Sequence, residues 1–144
     1  MTGSLDRLLE QRLATLIDAE STAIQCVANL LGAGESNATV PRVAVHCESL
    51  DTEEFQETPE GIYGIYEVRC RICSIAEATS STSSAQMEEM NSAIDSVADD
   101  ADIAANLTSG SLKVWGVVPG EWSQEQEDNR IIRERILNIW ARVQ

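Results

Sequence analysis

The 144-residue chain sets 24 acidic residues against 10 basic ones, a formal net charge of -14, and 43% of its residues are hydrophobic. A domain of this length buries roughly two-thirds of the surface its unfolded chain exposes, so a core is attainable without staples, while the charge repels phosphates and argues against sequence-specific DNA binding. No apolar stretch reaches the roughly 18 residues of a membrane span, and no basic segment followed by an apolar block opens the chain, so it reads as a soluble, unsecreted protein.

Ser4 is a good N-cap, and after it Leu5, Leu8, Leu9, Leu13, Leu16, Ile17, Ile24, Val27 and Leu31 recur every third or fourth place. That spacing predicts an amphipathic helix closing at Gly32 to Gly34, with the polar stretch Asp18 to Thr22 as a point of interruption or bending. Arg42 to Leu50 alternates Val43, Val45 and Cys47 with Ala44, His46 and Glu48, which predicts a strand. Tyr66 to Glu77 alternates more strictly, with Tyr66, Val68, Cys70, Ile72, Ser74 and Ala76 on one face and Glu67, Arg69, Arg71, Cys73 and Glu77 on the other. Between the two lies Thr58-Pro59-Glu60-Gly61, a good type I turn, so the strands are expected to extend into a long hairpin with an acidic tip of Glu53, Glu54, Glu57 and Glu60.

Ser83 and Gln86 have the spacing of a capping box, and Met87, Met90, Ile94, Val97 and Ala101 follow at helical intervals, which predicts a helix over about Ser84 to Asp100 with the methionines as core filler. Ser111 to Val118 alternates again and predicts a third main strand, stopped by Pro119-Gly120 and followed by an acidic loop from Glu121 to Asp128. The last segment is ambiguous. Ile132, Ile136, Ile139, Trp140 and Val143 fit a helical face, slightly favoured by periodicity, whereas Arg133, Arg135, Leu137, Ile139, Ala141 and Val143 fit one face of a strand. In that case the acidic loop joins two antiparallel strands.

Catalytic equipment is sparse. Cys70-x-x-Cys73 has the spacing of a redox or zinc motif, but in a strand residues three apart point to opposite faces, so the sulfurs cannot share a metal. Cys26, Cys47, Cys70 and Cys73 allow three disulfide pairings on paper, yet their scatter through regular elements suits small buried hydrophobes in a reducing cytoplasm. His46 is the one histidine, with no partner carboxylate in strand register, and reads as structural. G-x-S-x-G, glycine-rich phosphate-loop and H-E-x-x-H patterns do not occur in the sequence. Trp115 and Trp122 flank Pro119-Gly120, where aromatic side chains suit an interface; Trp115 suits the core equally well.

The order helix, strand, hairpin return, capped helix, strand, polar loop and terminal segment, with YGIYEVRCRICSIAEA in the middle and GSLKVWGVVPGEWSQEQEDNRIIRERILNIWARV near the end, resembles the tail-terminator (tail-completion) proteins of tailed bacteriophages. The resemblance implies a small α+β domain that assembles into a ring, usually hexameric, capping the tail tube and meeting the head connector. It also implies a strand at Ile131 to Val143, bearing Arg133 and Arg135. The chain departs from the family in its long polar approach to Leu112, Asp99 to Gly110, and in its acidity.

The expected architecture is therefore α+β: one domain over 1–144, an antiparallel sheet of about four main strands packed against two helices. The expected function is a non-catalytic virion ring subunit without a cofactor or metal, partnered by itself, by the tail tube and by a neck or connector protein, with genome DNA passing through unbound. Phe55, Pro59, Gly61, Trp115, Trp122, Arg133 and Arg135 are the candidate interface residues. The alternatives are a neck adaptor or chaperone-like binding module that uses the hairpin or the Met-bearing helix, and, further off, a small enzyme or redox protein built on Cys70 and Cys73.

Overall fold

Leu5, Leu9, Leu13 and Ile17 are all buried and stand about one turn apart, forming the apolar stripe of the first helix, α1 (Thr2–Glu20). The computed structural model describes residues 2–20, 26–28, 42–58, 61–78, 83–127 and 129–143, with the backbone alone at 2–4, 26–28, 51–58, 61–63, 83 and 127. After α1 come β1 (Cys26–Ala28), β2 (Arg42–Thr58), β3 (Gly61–Glu77), α2 (Ser83–Ala98), α3 (Ile103–Leu107), β4 (Leu112–Glu127) and β5 (Arg130–Val143). The strands make one sheet in the order β1-β2-β3-β5-β4. The four long strands pair antiparallel, and short β1 runs parallel to β2 along Val43 to Val45. The result is a small α+β domain with the expected sheet of four main strands.

The expected strand faces form the core. Val43, Val45 and Cys47 of β2, Val68, Cys70 and Ile72 of β3, and Leu137, Ile139 and Ala141 of β5 pack in one cluster with Met90 and Ile94 of α2 and Leu107 of α3. Each large side chain fully buried there contributes about 1.5–3 kcal/mol. Among the described residues the opposite sheet face carries a small buried apolar patch of Ala44, Cys73 and Ile75, with Ile132 against it. Cys70 and Cys73 thus lie on opposite faces, as strand alternation requires.

Several expectations need correction. The first helix does not continue to Leu31: α1 ends at Glu20, and Val27 belongs to β1. The polar run Asp18 to Thr22 gives a helix little to bury, and the parallel partner that β2 offers downstream cannot be read from local spacing. Pro119-Gly120 does not stop the third main strand, and Glu121 to Glu127 is not a loop, because β4 runs through both and pairs with β5 as far as Glu127 opposite Arg130. Two bulges make this possible. Trp115 is an extra residue between Val114 and Gly116, while Gly120 and Glu121 together oppose Ile136. Proline is tolerated because β4 is the sheet's edge strand and Pro119 adjoins a bulge.

The final segment is a strand. Its helix-like spacing arises because both faces carry apolar residues: Leu137, Ile139 and Ala141 point to the core while Ile132, Ile136 and Trp140 alternate with them. Within the polar approach to β4 the short helix α3 went unpredicted, and Ala101, expected on the core side of α2, is exposed beyond its end. Cys47 and Cys70 are not separate thiols. They are direct cross-strand partners joined as a disulfide, while the buried Cys73 stands outside that bond and points its Sγ at Glu134 Oε2 at 3.6 Å.

Candidate functional site: an interaction surface

At the C-terminal end of α2, Asp95 and Asp99 stand one turn apart where the helix dipole disfavours carboxylates and the last turn supplies no cation. The cation comes from β5. Arg135, 8% exposed, donates Nη1 to Asp95 Oδ1 at 2.7 Å and Nη2 to Asp99 Oδ1 at 2.6 Å. Its Nε donates to the carbonyl of Gly120 at 3.0 Å, an oxygen presented by the second β4 bulge. The hydrogen bond from Arg135 holds the Asp99 carboxyl below its ordinary value, and the same bond holds the guanidinium above its own. Trp122, immediately after the bulge and half-buried against the core, donates its indole Nε1 to Asp95 Oδ1 at 2.9 Å.

An open groove of about 840 Å³ lies over this clamp, between α2 and the β4–β5 ribbon. Most of its lining residues are polar, although they and Trp122 also expose apolar surface to it. Asn91 is held by the hydroxyl of Ser74 at 2.8 Å, and Gln124 accepts Nε of Arg133 at 2.8 Å. The sequence singled out Trp122, Arg133 and Arg135, and the fold brings them together here. It missed Asp95 and Asp99, whose i, i+4 spacing at an uncompensated helix end was the available signal.

The remaining interface candidates lie elsewhere. Phe55 is opposite Gly64 in the β2–β3 ladder, and Gly61 closes that ladder opposite Thr58; Pro59, with the turn expected around it, falls outside the described residues. Trp115, at the first β4 bulge, lies beneath Lys113, whose Nζ is 5.9 Å from the ring centroid. β3 pairs with β5 only as far as Tyr66, so Gly61–Ile65 and their β2 partners Glu54–Thr58 have only each other as strand partners among the described residues. This two-stranded arm is roughly 17 Å long. A bulge of Leu50, Asp51 and Thr52 opposite Glu67 marks its root.

His46 does have a carboxylate neighbour, supplied by a helix and not by strand register. Glu10 of α1, 3% exposed, accepts the backbone N–H of Cys47 at 3.1 Å and places the same oxygen 3.6 Å from His46 Nδ1. β1 reaches only Val45, so this amide lies on the part of the β2 edge that β1 leaves open, and Glu10 satisfies it. One turn earlier, Asp6 accepts the hydroxyl of Ser49. The signal in sequence was an acid in the apolar stripe beside Leu13 and Ile17.

Among the described residues no group of three or more His, Cys, Asp or Glu could hold a metal ion, and no helix is long and apolar enough to cross a membrane. A scan against protein-family models returned no match for this chain, nor did a search of curated proteins.

Proposed function

We propose that this chain is a structural ring subunit of the phage tail-terminator kind, assembled in the host cytoplasm and carried in the virion. The ring, a hexamer, caps the tail tube and meets a neck or connector protein, and the subunit performs no chemistry of its own. The observation that carries this reading is the β2–β3 arm. Among the described residues no further strand lies beside it; a two-stranded hairpin alone is marginal in water, and edges left open in this way invite pairing with another chain. The β4 edge at the other side of the sheet offers a second strand for head-to-tail closure.

The test replaces Glu53 to Glu60 with a short turn and follows mass in solution by light scattering, beside the melting curve. The expected result is a folded monomer that no longer closes into a discrete ring; unchanged assembly overturns the proposal. The groove over the Arg135 clamp favours a second reading, a neck adaptor that binds a partner's polar segment against Trp122 and Arg133. A chain that never self-associates, yet loses its hold on a neck protein when Arg133 is replaced by Ala, fits that reading instead.

A further inference from the structure

We infer that the groove between α2 and the β4–β5 ribbon binds an extended segment of a partner protein through a single carboxylate. Arg133, Asn91 and Gln124 receive that carboxylate, an apolar side chain of the segment lies against Trp122, and a basic one points toward Glu88. The inference rests on the reading of this groove as a partner site, holds whether or not the chain also closes into a ring, and deepens that reading by naming the ligand's chemistry. Strand register sets the donors at one level: Ser74 of β3 stands opposite Arg133 of β5, and Arg133 opposite Gln124 of β4. Ser74, fully buried, donates its hydroxyl to Asn91 Oδ1 and so fixes that amide of α2 over the same row. Two residues on along β5, roughly 7 Å away, Arg135 stands opposite Trp122, and Asp95, one helical turn on from Asn91, joins them.

What each side chain has already engaged decides what the groove can take. Gln124 Oε1 accepts Nε of Arg133 at 2.8 Å, and Asn91 Oδ1 accepts the Ser74 hydroxyl at 2.8 Å, so both amides meet a ligand with their N–H donors. The same Nε contact orients the Arg133 guanidinium, and among the described residues no carboxylate forms an ion pair with its Nη groups. Asp95 also lines the groove, but its Oδ1 is taken by Arg135 and by the Trp122 N–H. The indole, with its polar end so engaged, offers the groove its ring. Donors left without acceptors suit an acceptor-only ligand, and an ionised carboxylate matches a guanidinium fork through two parallel hydrogen bonds. The hydroxyls of Ser92 and Ser96 adapt to either role. Glu88, exposed on the same wall nearly one turn before Asn91, has no cation beside it among the described residues. With the net charge of -14 it disfavours a run of acids or a dianionic phosphate and calls for a base beyond the carboxylate. The three levels, Trp122, Arg133 with Asn91, and Glu88, lie roughly 5–7 Å apart, which suits alternate residues of an extended chain. The ligand pattern is therefore apolar, acid, base at every second position.

The probes are capped synthetic peptides with leucine, glutamate and lysine at alternate positions between glycines, made in both orders. Companion peptides replace the glutamate by glutamine or by phosphoserine. Each is added to isotope-labelled full-length protein, and the indole N–H resonance of Trp122 and the side-chain amide resonances of Asn91 and Gln124 are followed. The expected result is a saturable shift of these resonances by a glutamate peptide, with binding about tenfold or more weaker for its glutamine counterpart, as for loss of a hydrogen bond between charged groups. Arg133→Ala should weaken the glutamate peptide by as much, leave the glutamine peptide nearly unchanged and keep the melting curve in place. Equal affinity for the glutamate and glutamine peptides, or tighter binding of the phosphoserine peptide, overturns the carboxylate and leaves the groove a partner site. No shift of these resonances at millimolar peptide overturns both. Light scattering on the same samples reads assembly separately, so ring closure without peptide binding sinks this ligand alone, and peptide binding by a chain that never closes sinks the ring reading alone.

Discussion

Trp122 donates its indole N–H to Asp95 Oδ1 at 2.9 Å, the same oxygen that accepts an N–H of Arg135 at 2.7 Å. A side chain expected from its place beside Pro119-Gly120 to suit an interface thus ties β4 to α2 within its own subunit. We predict that Trp122→Phe destabilises the monomer by about 1–2 kcal/mol, because a charge-assisted hydrogen bond is lost and the ring body retained. Trp122→Ala should cost more, about 2–4 kcal/mol, as ring burial is lost too. Urea unfolding at a monomeric concentration measures both. Equal stabilities for the three proteins would show that the indole contributes nothing to the fold.

The Arg135 clamp also makes stability depend on acid. Asp99 has its carboxyl held below the ordinary 3.8 by Arg135, so the folded state favours the ionised form. This contribution is present in full above about pH 4 and is lost as pH falls through the lowered folded value. Arg135, held above its already high value, stays charged throughout. Asp99→Asn should therefore flatten the fall in stability between about pH 4 and pH 2, and Arg135→Met should do the same from the other partner while lowering stability at neutral pH by about 1–3 kcal/mol. Melting temperatures across that range check it: parallel pH profiles for wild type and Asp99→Asn would remove the clamp as the source.

The β2 and β3 faces were legible from sequence because one face of each strand packs into the main core with α1 and α2, so burial there imposes a period of two. What was not legible depended on neighbours distant in sequence. Val27 joined a helical row by spacing, yet it lies on β1 because β2 supplies a parallel partner. Pro119-Gly120 looks like a stop because proline cannot donate to a ladder, but an edge strand has no second ladder to lose and the bulge takes up the irregularity. The candidate site was read in halves. Arg135 and Trp122 stood out as a cation and an aromatic in polar surroundings, whereas Asp95 was one acid among many until the fold placed it under both.

Gly120 should tolerate no side chain. A Cβ built there lies 2.8 Å from the backbone oxygen of Ile136, and a backbone atom in a paired strand cannot move aside as a flexible side chain can. Gly120→Ala should cost about 1–3 kcal/mol, an overpacking penalty, and should also disturb the carbonyl that accepts Arg135 Nε. Gly116→Ala is the control, because a Cβ there meets nothing within 4 Å. If the two substitutions prove equally harmless in thermal unfolding, the β4 bulge does not hold Gly120 against β5.

Cys47 and Cys70 lie directly opposite each other across β2 and β3, both essentially buried and joined as a disulfide closing a loop of sequence separation 23. A loop of that size constrains the unfolded chain by about 3 kcal/mol in the chain-entropy description. The bond also locks register at the middle of the hairpin, since a slip of one residue would turn each strand's apolar face outward. Because both sulfurs lie in the core beneath α1 and α2, reductant should reach them slowly in the folded state and rapidly once urea opens the chain. We predict that reduction under unfolding conditions, followed by refolding in reductant, lowers stability by about 2–4 kcal/mol relative to the oxidised chain. Peptide mapping after alkylation of the denatured, oxidised chain should find Cys73 modified and Cys47 and Cys70 protected, with both of these modified after reduction. Alkylation of Cys47 and Cys70 without reductant, in protein purified under oxidising conditions, would show that the pair remains reduced and that the β2–β3 register is held by packing alone.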